Sequence, residues 1–529
     1  MNILLTAINA KYIHSNLAVY SLRACAGEYR DAVELAEYTI NNQKDYILEE
    51  LYKRKPDVLC FSCYIWNIDY VTDIAREYKK LCPSVPIWVG GPEVSYEVEA
   101  FLRENPYIDG VMIGEGEDTF RELCGYYAHK RKLSDIAGIA FRKNSTGNST
   151  SVNNIGGNKA GEIVFTSPRP IKNMSEIPFC YDTLDDFSNR IIYYESSRGC
   201  PFSCSYCLSS VDKTLRFRDT EIVKKELKFF IDQKVPQIKF VDRTFNCNHA
   251  HAMELWRFIK ANDNGVTNFH FEISADLLNQ EELELISDMR PGLIQLEIGV
   301  QSTNEVTIKE IHRTMKLERL KEVVRLIQSG NNIHEHLDLI AGLPYEDYDS
   351  FGRSFDEIYE LKPNQLQLGF LKVLKGSYMF EHATEYGIVY HDKPPYEVMS
   401  TKWLSFDDVI KIKRVEEMLE VYYNSGQFEI TMKLMECIFD SAFEFFQELG
   451  DFYEANGYFG MSHSRIRRCE ILLEFLALYL HGCDNDAMTS VVLSEIAGDR
   501  DNTDFDENAI DRDNTDFDEN AQIYSMIQE

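Results

Sequence analysis

Short apolar runs alternate with amphipathic stretches along most of this chain, and that alternation constrains its fold more than any other feature. Over the first 130 residues, strand-like runs fall at 2–7, 32–39, 58–63, 87–90 and 110–113, with helical patterns between them. Repeated strand–helix–strand units imply an α/β fold with a parallel sheet, since a parallel connection needs a crossover that a helix fills. The expected first domain, 1–135, is therefore doubly wound and Rossmann-like, with ligands beyond the carboxyl ends of its strands. A second alternation gives strands at 191–196, 237–241, 268–273, 293–299, 333–340 and 365–370. These successive units predict a partial (β/α)6 barrel over 186–375, with its chemistry on the loops after the strands.

Strand-like runs at 139–142 and 163–166 flank an Asn-, Ser- and Gly-rich stretch, and Pro168, Pro170 and Pro178 follow. Residues 136–185 thus read as a hairpin and connector. Farther on, Val409, Ile412, Val415, Met418, Leu419 and Tyr422 keep helical spacing behind Ser405, a candidate cap with Asp407 and Asp408 in the first turn. A helical C-terminal domain over 376–490 is expected. The segment DRDNTDFDENA stands at 499–509 and again at 511–521, too acidic and apolar-poor to build a core, so 491–529 reads as a disordered tail. Calcium is the alternative for its aspartates, although the repeat lacks the glycine and closing glutamate of an EF-hand.

No run approaches the roughly 20 apolar residues that cross a bilayer. MNILLTAINA enters a strand at once, without the basic start and apolar core of a secretory signal, so a cytoplasmic location without membrane attachment is expected. The net charge of −31 repels phosphate backbones and disfavours general nucleic-acid binding. Among 13 cysteines in such a chain, a tight cluster points to metal or catalytic work.

That cluster is SRGCPFSCSYCLSS, where Cys200, Cys204 and Cys207 follow the first barrel strand as C-x3-C-x2-C. Three thiolates on one loop suit three irons of a cubane and leave the fourth iron open for a ligand. A zinc site is the competing reading and needs a fourth ligand, for which Cys247 and His249 are the nearby candidates. Cys60 and Cys63 form a separate C-x2-C that reads as structural, because residues flanking a strand end need not converge.

The cluster and its position resemble the radical S-adenosylmethionine (SAM) superfamily over roughly 185–375. The resemblance implies a 4Fe-4S cluster on Cys200, Cys204 and Cys207, SAM on the open iron, and a 5'-deoxyadenosyl radical on reduction. It places Tyr206 against the adenine. IKFVDRTFNCN resembles the second-strand motif without its usual Gly-Gly-Glu, leaving Asp242 and Asn246 in that region. FEISADLL offers Glu272 and Ser274 to ribose or the methionyl ammonium, LEIGVQSTNE places Glu297 and Gln301 near the cofactor, and HLDLIAGLPYED brings Asp338 and Gly342 toward the adenine. Arg198 and Arg243 are candidates to neutralise a carboxylate, with surface salt bridges as the alternative.

The first 130 residues resemble the cobalamin-binding domain that precedes this barrel in one subclass, most specifically in PIWVGGPEVSYEVEAFL and DGVMIGEGEDTFREL. The resemblance places Gly90, Gly91, Gly114 and Gly116 at the cofactor. The chain lacks the D-x-H-x-x-G pattern whose histidine ligates cobalt; His14 stands in the first loop without that context, and SCYIWNID would turn Tyr64, Ile65 and Trp66 to the corrin. Methylthiotransferases are set aside because their three-cysteine N-terminal cluster is missing. The resemblance implies a cobalamin-dependent radical SAM enzyme, with methyl transfer to an unactivated carbon favoured and catalytic residues and substrate open. It also implies an electron donor such as flavodoxin or ferredoxin. Cobalamin-assisted cyclisation or rearrangement without methyl transfer is a second reading, and a non-catalytic cobalamin-binding sensor a third.

Overall fold

The computed structural model describes residues 1–143, 162–187, 189–211 and 213–481. The stretch 144–161 and the repeated acidic segment lie outside the described residues. Strands β1 (Ile3–Asn9), β2 (Val33–Thr39), β3 (Val58–Ser62), β4 (Ile87–Gly90) and β5 (Gly110–Met112) form a parallel sheet in the order β2-β1-β3-β4-β5. Strands β6 (Ile139–Arg142) and β7 (Ile163–Phe165) continue the same sheet beyond β5, both antiparallel. The hairpin expected in the connector is thus an edge of the first sheet.

Every residue of β1 is buried, because both faces of this strand are covered. Leu4 and Ile8 join Leu59 and Phe61 in a core on one face. Ile3, Leu5 and Ala7 join Cys60 and Trp88 on the other, in a core that runs on into the barrel and the C-terminal helices. At β5 the sheet admits only glycine beside the indole, since a Cβ on Gly110 would stand 2.4 Å from the Trp88 ring.

Strand β8 (Ile192–Tyr194) opens the second sheet, followed by a short antiparallel ribbon of β9 (Ser197–Arg198) and β10 (Arg216–Phe217). Strands β11 (Gln237–Phe240), β12 (Asn268–Ile273), β13 (Ile294–Gln301), β14 (His334–Ala341) and β15 (Gln365–Phe370) complete it. The order β15-β14-β13-β12-β11-β8 with every pairing parallel is an open, partial barrel. A bulge between Gly299 and Gln301 breaks the β13 register, and Gln301 takes the left-handed conformation there.

The C-terminal region is helical, with helices Phe406–Leu419, Glu429–Ile438, Ala442–Asn456 and Arg465–His481. Ser405 and Asp408 form a full capping box at the first of them. A ribbon of β16 (Val389–Tyr390) and β17 (Val398–Ser400) precedes these helices and amends the purely helical expectation for this region. It lies on the ends of β14 and β15: Val398 N donates to Leu371 O over 2.8 Å, and a Cβ on Gly342 would meet Val398 at 2.6 Å. None of the described helices is long and apolar enough to cross a membrane.

The first sheet and the barrel are joined by a polar seam. The loop after β1 pairs with the chain entering β8: Ile191 N donates to Ile13 O over 2.7 Å, and Ser15 Oγ donates to Ile191 O over 2.8 Å. Arg190 donates to Glu37 Oε2 on β2 at 2.8 Å and to His14 O at 2.7 Å. Burial works to raise the Glu37 carboxyl, but Arg190, Tyr20 and Asn9 hold it below the usual carboxylate range. Replacing Glu37 by Gln would strand a buried guanidinium, and is expected to cost about 3 kcal/mol, read as a lower urea midpoint of unfolding. An unchanged midpoint would contradict this account of the seam.

Candidate active site

The cysteine loop leaves β8 through Ser196 and Ser197, and a carboxylate one strand away anchors both. Asp242, at the end of β11, accepts from Ser196 N at 2.9 Å, Ser196 Oγ at 2.6 Å and Ser197 Oγ at 2.6 Å. His251 Nε2 stands 3.0 Å from Ser196 Oγ. Asp242 is fully buried, and burial pushes its carboxyl up to about 7 despite the three donors. Expected near the cofactor, Asp242 has its oxygens committed to the base of the cysteine loop.

Gly199 then turns the loop with φ +85, and a Cβ there would stand 2.6 Å from Thr214 O. Cys200 and Cys204 are buried, Cys207 is half-buried, and all three are free thiols. Cys200 Sγ lies 3.8 Å from Thr244 Oγ1. Burial raises the Cys207 thiol, and the Arg243 charge works against that rise. Ser205 is held on both sides, its N–H donating to Ile311 O and its carbonyl accepting from Met379 N, each at 2.9 Å. Arg313 donates to the Tyr206 hydroxyl at 3.2 Å and points Nη1 at Cys204 Sγ from 3.9 Å.

No three His, Cys, Asp or Glu groups among the described residues close on one point as a single ion requires. Three free thiols on one anchored loop are the donor set that an iron–sulfur cubane takes. His249, a candidate for the zinc alternative, has its Nδ1 2.9 Å from Glu282. Cys60 and Cys63 belong to the cores on opposite faces of the first sheet and do not converge.

Inside the barrel, Glu297 on β13 receives Lys239 Nζ from β11 at 3.1 Å and faces His270 Nε2 from β12 at 2.8 Å. Burial works to raise Glu297, but Lys239 and His270 hold it well below the carboxylate range. The same burial lowers His270 to about 4, with Lys239 adding to the effect. Next to it, burial and the Glu297 charge push Glu272 up to about 8, against Arg243 and Lys239. At neutral pH, Glu297 is therefore ionised and Glu272 protonated. Asp338 faces His336 Nε2 at 3.1 Å. Ser274 and Asn246 bind one another, N–H to Oδ1 at 2.9 Å and Nδ2 to carbonyl at 2.8 Å, which ties the loops after β11 and β12 together. Gln301 is buried with Oε1 lacking a hydrogen-bond partner, and Gly342 packs on Val398.

A cavity of about 590 Å³ lies between the carboxyl ends of the first sheet and those of the barrel. From the first sheet it gathers His14, Tyr64, Trp66, Gly90, Gly91, Gly114 and Gly116, and from the barrel Glu195, Arg198, Lys239, Arg243 and Glu272. The rings of Tyr64 and Trp66 stack 4.4 Å apart at 7°, and Trp66 Nε1 donates to Ile8 O at 3.1 Å. Gly114 has φ +73 with nothing within 4 Å of a Cβ position, whereas Gly91 is pressed on the Cys63 carbonyl. His14 bridges the two sheets, Nδ1 to the Tyr193 hydroxyl at 2.7 Å; burial, with Lys239, Lys11 and Arg190, lowers it to about 3, so the imidazole is neutral. A stacked aromatic pair, the open edge at Gly114 and a neutral imidazole fit a large flat macrocycle.

Sequence reasoning missed Lys239, Arg313 and the acids paired with Arg198. Arg198 bonds Glu195 at 2.8 Å and Glu117 at 2.5 Å, a pairing across the seam rather than on the surface. Lys239 carried a signal, a lysine inside the apolar strand QIKFV, while the side-chain partners of Arg313 (Gly299, Tyr206 and Cys204) all lie 14 residues or more away in sequence.

Two outcomes test this geometry. Asp242→Ala would strand three donors, at about 1–3 kcal/mol each, and is expected to lower the iron retained per chain after anaerobic reconstitution, while Cys247→Ala is not. Equal iron in both variants would contradict the anchoring role. Since Glu272 is protonated in the fold up to about 8 but ionises near 4.5 when unfolded, it costs stability increasingly as pH rises through that window. Glu272→Gln is expected to reduce the loss of thermal stability between those limits, and an unchanged pH slope would contradict it.

Residues 3–124 match the B12 binding domain family, 194–358 the Radical SAM superfamily, and 384–502 a family described as protein of unknown function (DUF4080). The cobalamin-dependent radical SAM methyltransferase TokK of Streptomyces tokunonensis is 27% identical over 64% of this chain and 49% of its own length. The anaerobic magnesium-protoporphyrin IX monomethyl ester cyclase of Rubrivivax gelatinosus is 22% identical over 64% of this chain and 60% of its own. The chain thus spans about half to three fifths of these curated relatives. Among solved structures, the cobalamin-dependent S-adenosylmethionine radical enzyme OxsB with aqua-cobalamin bound superposes with TM-score 0.64 at 14% identity, covering 98% of this chain and 84% of that one, a likeness of fold.

Proposed function

Because the chain belongs to the radical SAM superfamily, in the subclass whose barrel follows a cobalamin-binding domain, we propose that it is a cobalamin-dependent radical enzyme that methylates an unactivated carbon. The observation that carries this reading is a cavity walled by both sheets, with Ser197, Arg198 and Gly199 at the start of the cysteine loop in its barrel wall. When bound, the cluster supplies one electron, SAM a hydrogen-abstracting radical, and cobalamin a methyl carrier.

The chain's own part is to hold and orient. Cys200, Cys204 and Cys207 would hold the cluster. Asp242, through Ser196 and Ser197, fixes where that loop starts. Protonated Glu272 and ionised Glu297 differ in what they offer: Glu272 can donate a hydrogen bond toward the cavity, whereas Glu297 only accepts. Tyr64, Trp66 and neutral His14 form the cobalamin side. Tyr206, Ser274, Gln301, Asp338 and Gly342 belong to the SAM side of this reading.

The division into a cobalamin unit at 1–135, extended by the β6–β7 hairpin, a barrel at 186–375 and a C-terminal unit from 376 is part of the proposal. So are a cytoplasmic location and a one-electron donor such as flavodoxin or ferredoxin. A second reading, cyclisation with cobalamin but no methyl transfer, draws support from the similarity to the anaerobic cyclase of Rubrivivax gelatinosus.

The test is anaerobic reconstitution with iron, sulfide and hydroxocobalamin, followed by turnover on candidate substrates with methyl-deuterated SAM. Expected are one cubane, about four irons and four sulfides, with cobalt bound, S-adenosylhomocysteine and 5'-deoxyadenosine formed, and label in the product. Cys204→Ala is expected to abolish turnover. Product without label would favour cyclisation, and a wild-type chain that loads neither iron nor cobalt would end both readings.

A further inference from the structure

The cysteine loop is held from outside by two segments that reach the surface one residue away. Ser205 N donates to Ile311 O, and Met379 N donates to Ser205 O, each at 2.9 Å. Beside Ile311 and Met379 stand His312 and Tyr378, both exposed, with ring centroids 4.9 Å apart, and Tyr378 stacks on His382 at 3.7 Å. Pro201 and Ser203 of the loop itself are exposed as well.

Further rings extend this face. Glu310, next to Ile311, accepts from the Tyr386 hydroxyl at 2.8 Å; Tyr386 lies 6.4 Å from Trp403, and Tyr345 packs on Trp403 at 4.4 Å. Tyr345 is 43% exposed and has φ +64, a backbone that a bulky side chain rarely adopts. Exposed rings on a rigid base are the anchors that protein interfaces use. Segments 199–206, 307–316 and 377–382 carry Lys309, Arg313 and Lys316 against Glu310 and Glu381, a net charge of +1 in a chain of −31. Lys309 and Lys316 are exposed. An acidic partner, repelled by the chain as a whole, is not repelled here.

We propose that this face is where an acidic one-electron carrier protein docks to reduce the cluster, with Tyr345, Tyr378 and His312 as anchors and Lys309 and Lys316 as the charged rim. The inference rests on the reading that Cys200, Cys204 and Cys207 hold a cubane. One electron leaves the reduced flavin or iron–sulfur centre of the carrier and enters the cluster, and no bond forms or breaks in the step. Electron transfer weakens steeply with distance, so the carrier has to approach over the cysteine loop. The inner side of that loop, at Gly199 and Ser209, faces the cavity, which no protein enters. Complexes of this kind are small and transient, so a few rings and two lysines suffice.

The experiment uses the full chain, reconstituted anaerobically, with photoreduced flavodoxin as the carrier and dithionite as a reductant that needs no docking. The reduced-cluster electron paramagnetic resonance (EPR) signal after dithionite comes first; its absence from the wild type would sink the cluster reading itself, and the docking inference with it. Stopped-flow absorbance then reads the rate of cluster reduction by limiting flavodoxin. Lys309→Glu/Lys316→Glu is expected to be reduced at least about tenfold more slowly than the wild type at low ionic strength, and Tyr345→Ala about fivefold more slowly. Both are expected to keep the wild-type rate with dithionite. Lys225→Glu/Lys228→Glu, on the outer barrel helix Thr220–Asp232, is expected to match the wild type with flavodoxin. Added salt is expected to slow the wild type but not Lys309→Glu/Lys316→Glu. A flavodoxin rate unchanged in both face variants would overturn the inference, as would an equal loss with dithionite or in Lys225→Glu/Lys228→Glu. A wild-type cluster that dithionite reduces and flavodoxin does not would overturn it too. Should the face variants fail to load iron, carbodiimide cross-linking of the wild type to flavodoxin decides: links from Lys309 or Lys316 support the inference, and links only elsewhere, or none, overturn it.

Discussion

The contact on which the rest of this structure depends is the polar seam between the first sheet and the barrel. Arg190, at the entrance to β8, reaches Glu37 on β2, and the loop after β1 pairs with Ile191. Charges this enclosed are costly unless they are paired, so the seam tolerates few relative placements of the two sheets. One placement brings the carboxyl ends of both sheets to face a common cavity. The ligand positions of a doubly wound sheet and of a barrel then coincide instead of opening separately to solvent.

Within the barrel the same economy of charge sorts the acids. Glu297 is ionised because Lys239 and His270 surround it, and its charge helps to keep Glu272 protonated. Asp242 is spent on the cysteine loop, and the Ser274 hydroxyl on Asp276. Several polar residues at the strand ends thus serve to place loops rather than to meet a ligand directly.

The alternation of strands and helices was legible because each strand is a short apolar run bounded by polar residues, and β4, β12 and β15 fall where the pattern put them. The cysteine loop was legible as a spacing, and the Ser405 cap as a local rule. What the sequence could not disclose was pairing across distance. The β6–β7 hairpin reads as a connector until β5 is seen to accept it as an edge, and Asp242 reads as a cofactor ligand until Ser196 and Ser197 claim it. The ribbon of β16 and β17 is too short to leave a period-two pattern. Arg198 and Glu117 stand 81 residues apart, and nothing local in either residue marks the other.

The proposed function puts cobalamin and cluster on facing sides of one cavity, as near neighbours. That is measurable by the relaxation of the cob(II)alamin EPR signal in reconstituted protein with the cluster first diamagnetic and then reduced. The account predicts that the cobalt signal relaxes markedly faster once the cluster is paramagnetic, and that the effect vanishes in a chain lacking Cys204. A cobalt signal indifferent to the state of a fully loaded cluster would contradict it.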